Sequence, residues 1–339
     1  MHERISRAGV LGAGAAAAFA SALAFPAAAA VPYGKPETPN LKIGIPLDAT
    51  SYLPLYIAAQ STWKDAGLNV QLLAFRGDAE SSQALAGDSI DLNCGSVTGL
   101  VNLITSGQGA IGVFAGFNLA GFSWYGQPGM KSWNDVRGKA LGVSTFGSTT
   151  DALTRYVLRK HGLDPERDAH LIPVGNNVNQ YQALKANRTQ VAMLSAPATW
   201  QAESDGFPLL GTQQHEVANE WPEHIYAAKA KFIAANRSTI AAVLRGHVAA
   251  LRFAKADRAA AVAVFVDRLK YTPALASRSY DELMPTYDER GRLPDRSMKV
   301  FWDILVRNGD VKAPLPDNAI LDRQFVDSFA AWAPEATHA

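Results

Sequence analysis

Cysteine is almost missing: the 339 residues hold one, Cys94. A lone cysteine excludes an internal disulfide and a cysteine-based zinc site. Its place in the run Ile90-Asp91-Leu92-Asn93-Cys94 reads as a buried small hydrophobe. A surplus of either charge is missing too. Lys plus Arg number 32 against 31 Asp plus Glu, which leaves no broad basic face and argues against nucleic acid as a partner. His161, His170, His215, His224 and His247 are scattered, and none has the spacing of a metal site. No G-x-S-x-G elbow and no Gly-Lys-Ser/Thr phosphate loop occurs. These gaps point away from an enzyme, and no metal or other cofactor is expected. Beyond residue 30 no apolar run approaches the ~18 uncharged residues of a membrane span, so a soluble mature chain is expected.

What is there begins with a targeting pattern. Arg4 and Arg7 precede an uncharged stretch from Ala8 to Phe25, and Ala28-Ala29-Ala30 supplies small residues for cleavage. That order predicts a removable secretory signal over residues 1–30 and a periplasmic location. No second Arg adjoins Arg7 and no Cys follows the run, so neither a twin-arginine route nor a lipid anchor is expected. Removing Arg4, Arg7 and Glu3 leaves the charges balanced. Residues 31–39 carry three prolines and read as a flexible leader.

Strand and helix patterns then alternate. Strands are expected at Leu41–Ile45, Asn69–Phe75, Ile90–Cys94 and Ile111–Phe117. Helices are expected over Leu53–Gly67, Glu80–Ala86 and Thr98–Ser106. The unit restarts with strands at Ala140–Ser144, Ala169–Val174 and Val191–Leu194, and with helices at Thr149–His161 and Asn179–Ala186. After Tyr226 the pattern turns helical: Asn236–Lys255, Asp257–Leu269, Pro273–Met284, Ser297–Asn308 and Asp317–Ala330. Alternation of this kind implies parallel sheets with helices on both faces, an α/β fold in two lobes.

Three segments carry a family likeness: LKIGIPLDATSYLPLYIAAQSTWKDAGLNVQLLAFRGDAESSQALAGDSIDLNCGSVTG, WNDVRGKALGVSTFGSTTDALTRYVLRKHGLDP and VNQYQALKANRTQVAMLSAPAT. With the helical C-terminal part they resemble the periplasmic substrate-binding proteins of bacterial ABC importers for sulfonates, taurine, nitrate and thiamine precursors, the NMT1/THI5-like family. The resemblance implies the type II periplasmic-binding-protein fold, each lobe a mostly parallel sheet flanked by helices. It places lobe I at 40–117 and 227–339, lobe II at 123–222, and hinges at 118–122 and 223–226. It also implies a small-molecule solute in the inter-lobe cleft, inner-membrane permease domains as partners, and a monomer. A branch that makes a thiamine precursor uses a cysteine-rich motif, which this chain lacks. A periplasmic enzyme or a sensor ectodomain on the same scaffold is the alternative.

In an open parallel sheet, ligands bind beyond the carboxyl ends of the strands. The first strand ends at Asp48, Ser51 and Tyr52, which offer a carboxylate, a hydroxyl and a ring, or else cap the next helix. The second ends at Arg76 and Gly77; Arg76 suits a carboxylate or sulfonate, or else pairs with Asp78 on the surface. The third ends at Ser96 and Thr98, whose hydroxyls suit an anion or a helix cap. Thr145, Gly147, Ser148 and Thr149 open a helix whose N-terminus carries about half a positive charge, the strongest candidate, with Phe146 as an apolar wall. Pro197 lies in the turn that faces the cleft by the resemblance. Trp200 is expected in the core rather than as a stacking ring. Phe122-Ser123-Trp124-Tyr125 is a further candidate wall, and Asp281-Glu282 reads as a solvated face. Arg76 and the helix start favour an anion, whereas Asp48, Tyr52 and Phe146 suit an aromatic or amine-bearing solute.

Overall fold

The computed structural model describes residues 34–118 and 121–335. The expected signal, residues 1–30, lies outside them, as do Leu119 and Ala120 of the first expected hinge. No helix among the described residues is long and apolar enough to cross a membrane.

Ten strands among the described residues make two five-stranded sheets. The first contains β1 (Asn40–Ile45), β2 (Asn69–Ala74), β3 (Leu92–Ser96) and β4 (Ala110–Phe117). The second contains β5 (Ser123–Gly126), β6 (Lys139–Val143), β7 (Ala169–Pro173), β8 (Val191–Leu194) and β9 (Leu209–Thr212). The chain then returns as β10 (His224–Lys229) to the first sheet. The orders are β2-β1-β3-β10-β4 and β7-β6-β8-β5-β9, the same arrangement twice. In each sheet one strand is reversed: β10 runs antiparallel to β3 and β4, and β5 to β8 and β9.

Local chemistry explains most elements. In β1, Leu41, Ile43 and Ile45 are buried while Lys42 is exposed. β3 and β8 are buried at every residue, as strands covered on both faces must be. Cys94 sits in β3, buried as expected. The reversed strands were not legible as such. β10 reads HIYAAK, and its first three residues fall in the second expected hinge. Pairing on both edges makes it a strand through Lys229, because a buried backbone must bond to both neighbours.

Four other expectations change. The Leu53–Gly67 helix breaks at Ser61, whose φ of −141° and ψ of −72° are not helical, into Leu53–Gln60 and Thr62–Asp65. Buried Trp63 fixes the second piece by donating to the Val243 carbonyl at 3.0 Å. The leader is docked at Glu37 and Thr38: the Glu37 carboxylate accepts from the Ser238 and Thr239 amides at 3.0 and 2.7 Å, at the start of the Arg237–Ala256 helix. The helix at Asp295–Asn308, expected with the first lobe, packs on the Thr149–Lys160 helix of the second. Asn308 donates to the Ala152 carbonyl at 2.9 Å, and Phe301 packs on Trp221 at 5.2 Å. The single helix expected over 317–330 is three short turns, Asp317–Ile320, Gln324–Asp327 and Phe329–Trp332. Leu321 leaves the helix to form a bridge with Gly112 of β4.

Candidate functional site

Between the lobes lies a cavity of about 850 Å³. Its walls come from both sheets at their switch points. The carboxyl end of β1 supplies Pro46 to Tyr52, β3 supplies Ser96, β6 leads to Ser144, and β8 leads to Ser195–Ala198. The Pro273–Leu283 helix adds Leu275, Ser279, Glu282 and Leu283. Glu223 and His224, where the chain crosses back, lie at the same cavity.

Six of the twelve sequence candidates line it: Asp48, Ser51, Tyr52, Ser96, Thr149 and Pro197. Asp48 is engaged, bonding Arg268 at 2.9 Å and accepting from the Tyr56 hydroxyl at 3.1 Å. Tyr52 is 2% exposed and stacks on His224 at 4.5 Å between ring centres. The Ser96 hydroxyl accepts from the Gly99 amide at 2.9 Å and also bonds the Asp78 carboxyl, so it is engaged within the first lobe. Thr149 donates to Glu223 Oε2 at 2.9 Å, tying the second lobe to the crossing segment.

The other six do not line the cavity. Arg76 is a surface residue paired with Glu80 at 3.1 Å, its side chain 91% exposed. Its expected partner Asp78 instead turns inward. Gly77 is where the lobes touch: a Cβ there would meet Thr145 Cγ2 at 2.7 Å. Thr98 is buried in the helix after β3, and Thr145 faces Gly77 rather than the cavity. Gly147, at φ +74°, spends its amide on Asp151 and its carbonyl on Asn102 of the first lobe, both at 2.9 Å. The Ser148 hydroxyl donates to the Thr145 carbonyl at 2.7 Å and meets the Ser144 and Thr150 hydroxyls at 2.9 Å. Gly147, Ser148 and the Asp151 amide are thus engaged within the cap, while Thr149 and Thr150 stand on the cavity wall. Phe146 is exposed on a separate shallow groove and is no wall of the cavity.

Trp200 and Glu282, expected in the core and on a solvated face, both line the cavity. Phe122 lines it as well, whereas Trp124 and Tyr125 are buried in the second lobe. Sequence reasoning missed Asp78, Glu223 and His224. Asp78 Oδ1 accepts from the Ser96 amide at 3.0 Å, and burial pushes its carboxyl above the usual range. Burial, and then the charge of Asp78, push Glu223 up to about 8. Burial brings His224, stacked between Tyr52 and Phe117, down to about 3, so its ring is neutral. No local pattern in the sequence marked these three residues; in the fold Gly95 leaves Asp78 room, since a Cβ there would come within 2.7 Å of the Asn93 side chain and 3.3 Å of Asp78 Oδ1.

Two sheets of one strand order around a shared cavity make this a periplasmic-binding-protein fold. A family model described as the NMT1-like family matches residues 34–266, and the chain belongs to that family. YtlA of Bacillus subtilis (strain 168), which carries the provisional name of a binding protein, is 21% identical over 298 residues, 81% of this chain and 85% of that protein. Among solved structures, the periplasmic nitrate-binding protein NrtA from Synechocystis PCC 6803 superposes with a TM-score of 0.72 at 18% identity, over 88% of this chain and 89% of that one. The zinc-bound ligand-binding component of an ABC-type import system from Staphylococcus aureus gives 0.69 at 15%, over 85% and 98%.

Proposed function

We propose that this chain is the solute-binding component of an ABC importer: it captures a small organic solute between its lobes in the periplasm and presents it to permease domains in the membrane. The observation that carries this reading is the 850 Å³ cavity lined from both lobes. A solute that touches both walls favours the closed arrangement, and the closed shape is what a permease can read. To move such a protein from mostly open to mostly closed, the solute must prefer the closed form by about 5.5 kcal/mol. The matched fold and the family support the same reading.

The test is a thermal-shift screen of the mature chain against sulfonates, carboxylates, nitrate and nitrogen bases, followed by small-angle scattering with any hit. A rise in melting temperature together with a smaller radius of gyration is expected. Binding without compaction would sink the import reading.

A further inference from the structure

We propose that the solute is a planar nitrogen cation, amidinium-like, whose N–H groups are taken by the carboxylates of Asp78 and Glu223 on the cavity wall. This rests on the solute-binding reading above and names the class of solute.

The two carboxyl groups flank one strand end. The Ser96 amide donates to Asp78 Oδ1 and the Val97 amide donates to the Glu223 carbonyl, both at 3.0 Å. Among the described residues neither carboxyl has an ion-pair partner, whereas two other acids of the wall, Asp48 and Asp205, do. Asp48 is held by Arg268 at 2.9 Å, and Asp205 by Lys185 at 2.7 Å. An unpaired buried carboxylate is costly, and the usual remedy is a cation or several N–H donors. An anion brought to the same wall would hold both carboxyls in their neutral form, so its binding would weaken with rising pH where a cation's strengthens.

A second observation is independent of charge. Tyr52 lines the cavity at 2% exposure, and its hydroxyl has no hydrogen-bond partner among the described residues. Ser279, also on the wall and 3% exposed, has a buried hydroxyl without a partner. A hydroxyl buried like that of Ser279 is normally bonded, so it offers a hydrogen bond to a ligand in the cavity, and the Tyr52 hydroxyl on the same wall offers another. The stack of Tyr52, His224 and Phe117, with centre spacings of 4.5 and 5.2 Å, gives the wall a flat aromatic body that suits a planar guest.

The groups that face Glu223 set the pH response. They are Asp78 from the Asp78–Ala86 helix, Tyr52 from the loop after β1, and neutral His224 beside it on β10. From the Thr149–Lys160 helix comes only the Thr149 hydroxyl; Asp151 of that helix is tied to Arg155 at 2.8 Å. A bound cation favours the ionised form of Glu223, so binding releases a proton, and affinity rises with pH up to about 8.

Benzamidine and benzenesulfonate, one ring with opposite charges, make the test by titration calorimetry on the mature chain. Benzamidine is expected to bind at least tenfold tighter at pH 8 than at pH 6 and to release a proton, read from buffers of different ionisation enthalpy. Glu223→Gln is expected to lose both the pH dependence and at least tenfold in affinity. The pH series is read on the unaltered chain, so a variant that misfolds leaves the test intact. Binding of benzenesulfonate without benzamidine would overturn the cation and leave the solute-binding reading standing. Binding of neither at millimolar concentration would overturn the amidinium-like solute, and the solute-binding reading would then stand or fall on its own wider panel. Benzamidine binding that is flat with pH and unchanged by Glu223→Gln would remove the carboxyl pair from the site.

Discussion

The guanidinium carbon of Arg278 lies 3.9 Å from the centre of the Trp200 ring. Arg278 belongs to the Pro273–Leu283 helix of the first lobe and Trp200 to the Ala198–Ser204 helix of the second. Trp200 lines the cavity, so the pair bridges the lobes beside the solute space. A cation over an aromatic face contributes about 0.5–1 kcal/mol when solvent-exposed. Arg278→Ala should therefore shift the solute-free protein toward the open form and weaken solute binding about two- to fivefold. A larger radius of gyration by small-angle scattering is the expected reading; an unchanged one would mean that the stack does not hold the lobes.

Gly77 and Thr145 make a second inter-lobe contact, tighter than any side chain at position 77 would permit. Gly77→Val should wedge the lobes apart and strain a backbone at φ +159° that suits glycine, lowering affinity tenfold or more together with a modest loss of melting temperature. Full affinity in the variant would mean that the contact yields at no cost.

Ser148 serves the fold. It caps the Thr149–Lys160 helix and bonds the Thr145 carbonyl. Ser148→Ala should cost about 1–2 kcal/mol in chemical denaturation, the range for a lost cap. Solute affinity should stay within about twofold; a tenfold loss with unchanged stability would return this hydroxyl to the site.

Glu37 joins the N-terminal segment to the Arg237–Ala256 helix. Burial pushes its carboxyl up, but hydrogen bonds from its own backbone, Ser238 and Thr239 outweigh that and hold it at about 2. A carboxyl lowered in the folded state stabilises fully above its ordinary value near 4.5, and the effect fades as pH falls toward 2. Glu37→Gln should thus be less stable than the parent by about 1 kcal/mol at pH 7, in line with a partly exposed helix cap. The two melting curves should draw together below pH 4.5 and meet near pH 2. A gap that stays constant from pH 7 down to pH 2 would assign the loss to packing instead.

The alternation of elements was readable because the side chains that make it are near neighbours in sequence. Leu41, Ile43 and Ile45 declare a strand, and Ser148 before a run of helix formers declares a helix start. Arg76 shows where such reading fails. Its position after a strand pointed to the cleft, yet Glu80 lies one helical turn away and holds it at the surface. The same applies to Gly147, whose amide was free in sequence and taken in the fold by Asp151.

By itself the sequence determined the two-lobed α/β scaffold, the cleft at the strand ends, and the wall residues Asp48, Tyr52, Ser96 and Thr149. Only the tertiary structure decided that Asp78 turns inward while Arg76 turns out, and that Glu223 arrives beside it. The reason is the insertion of β10 between β3 and β4, which sets Glu223 against the end of β3. Periodicity and capping act over one or two turns of chain, whereas the desolvation of a carboxyl depends on what distant segments pack around it.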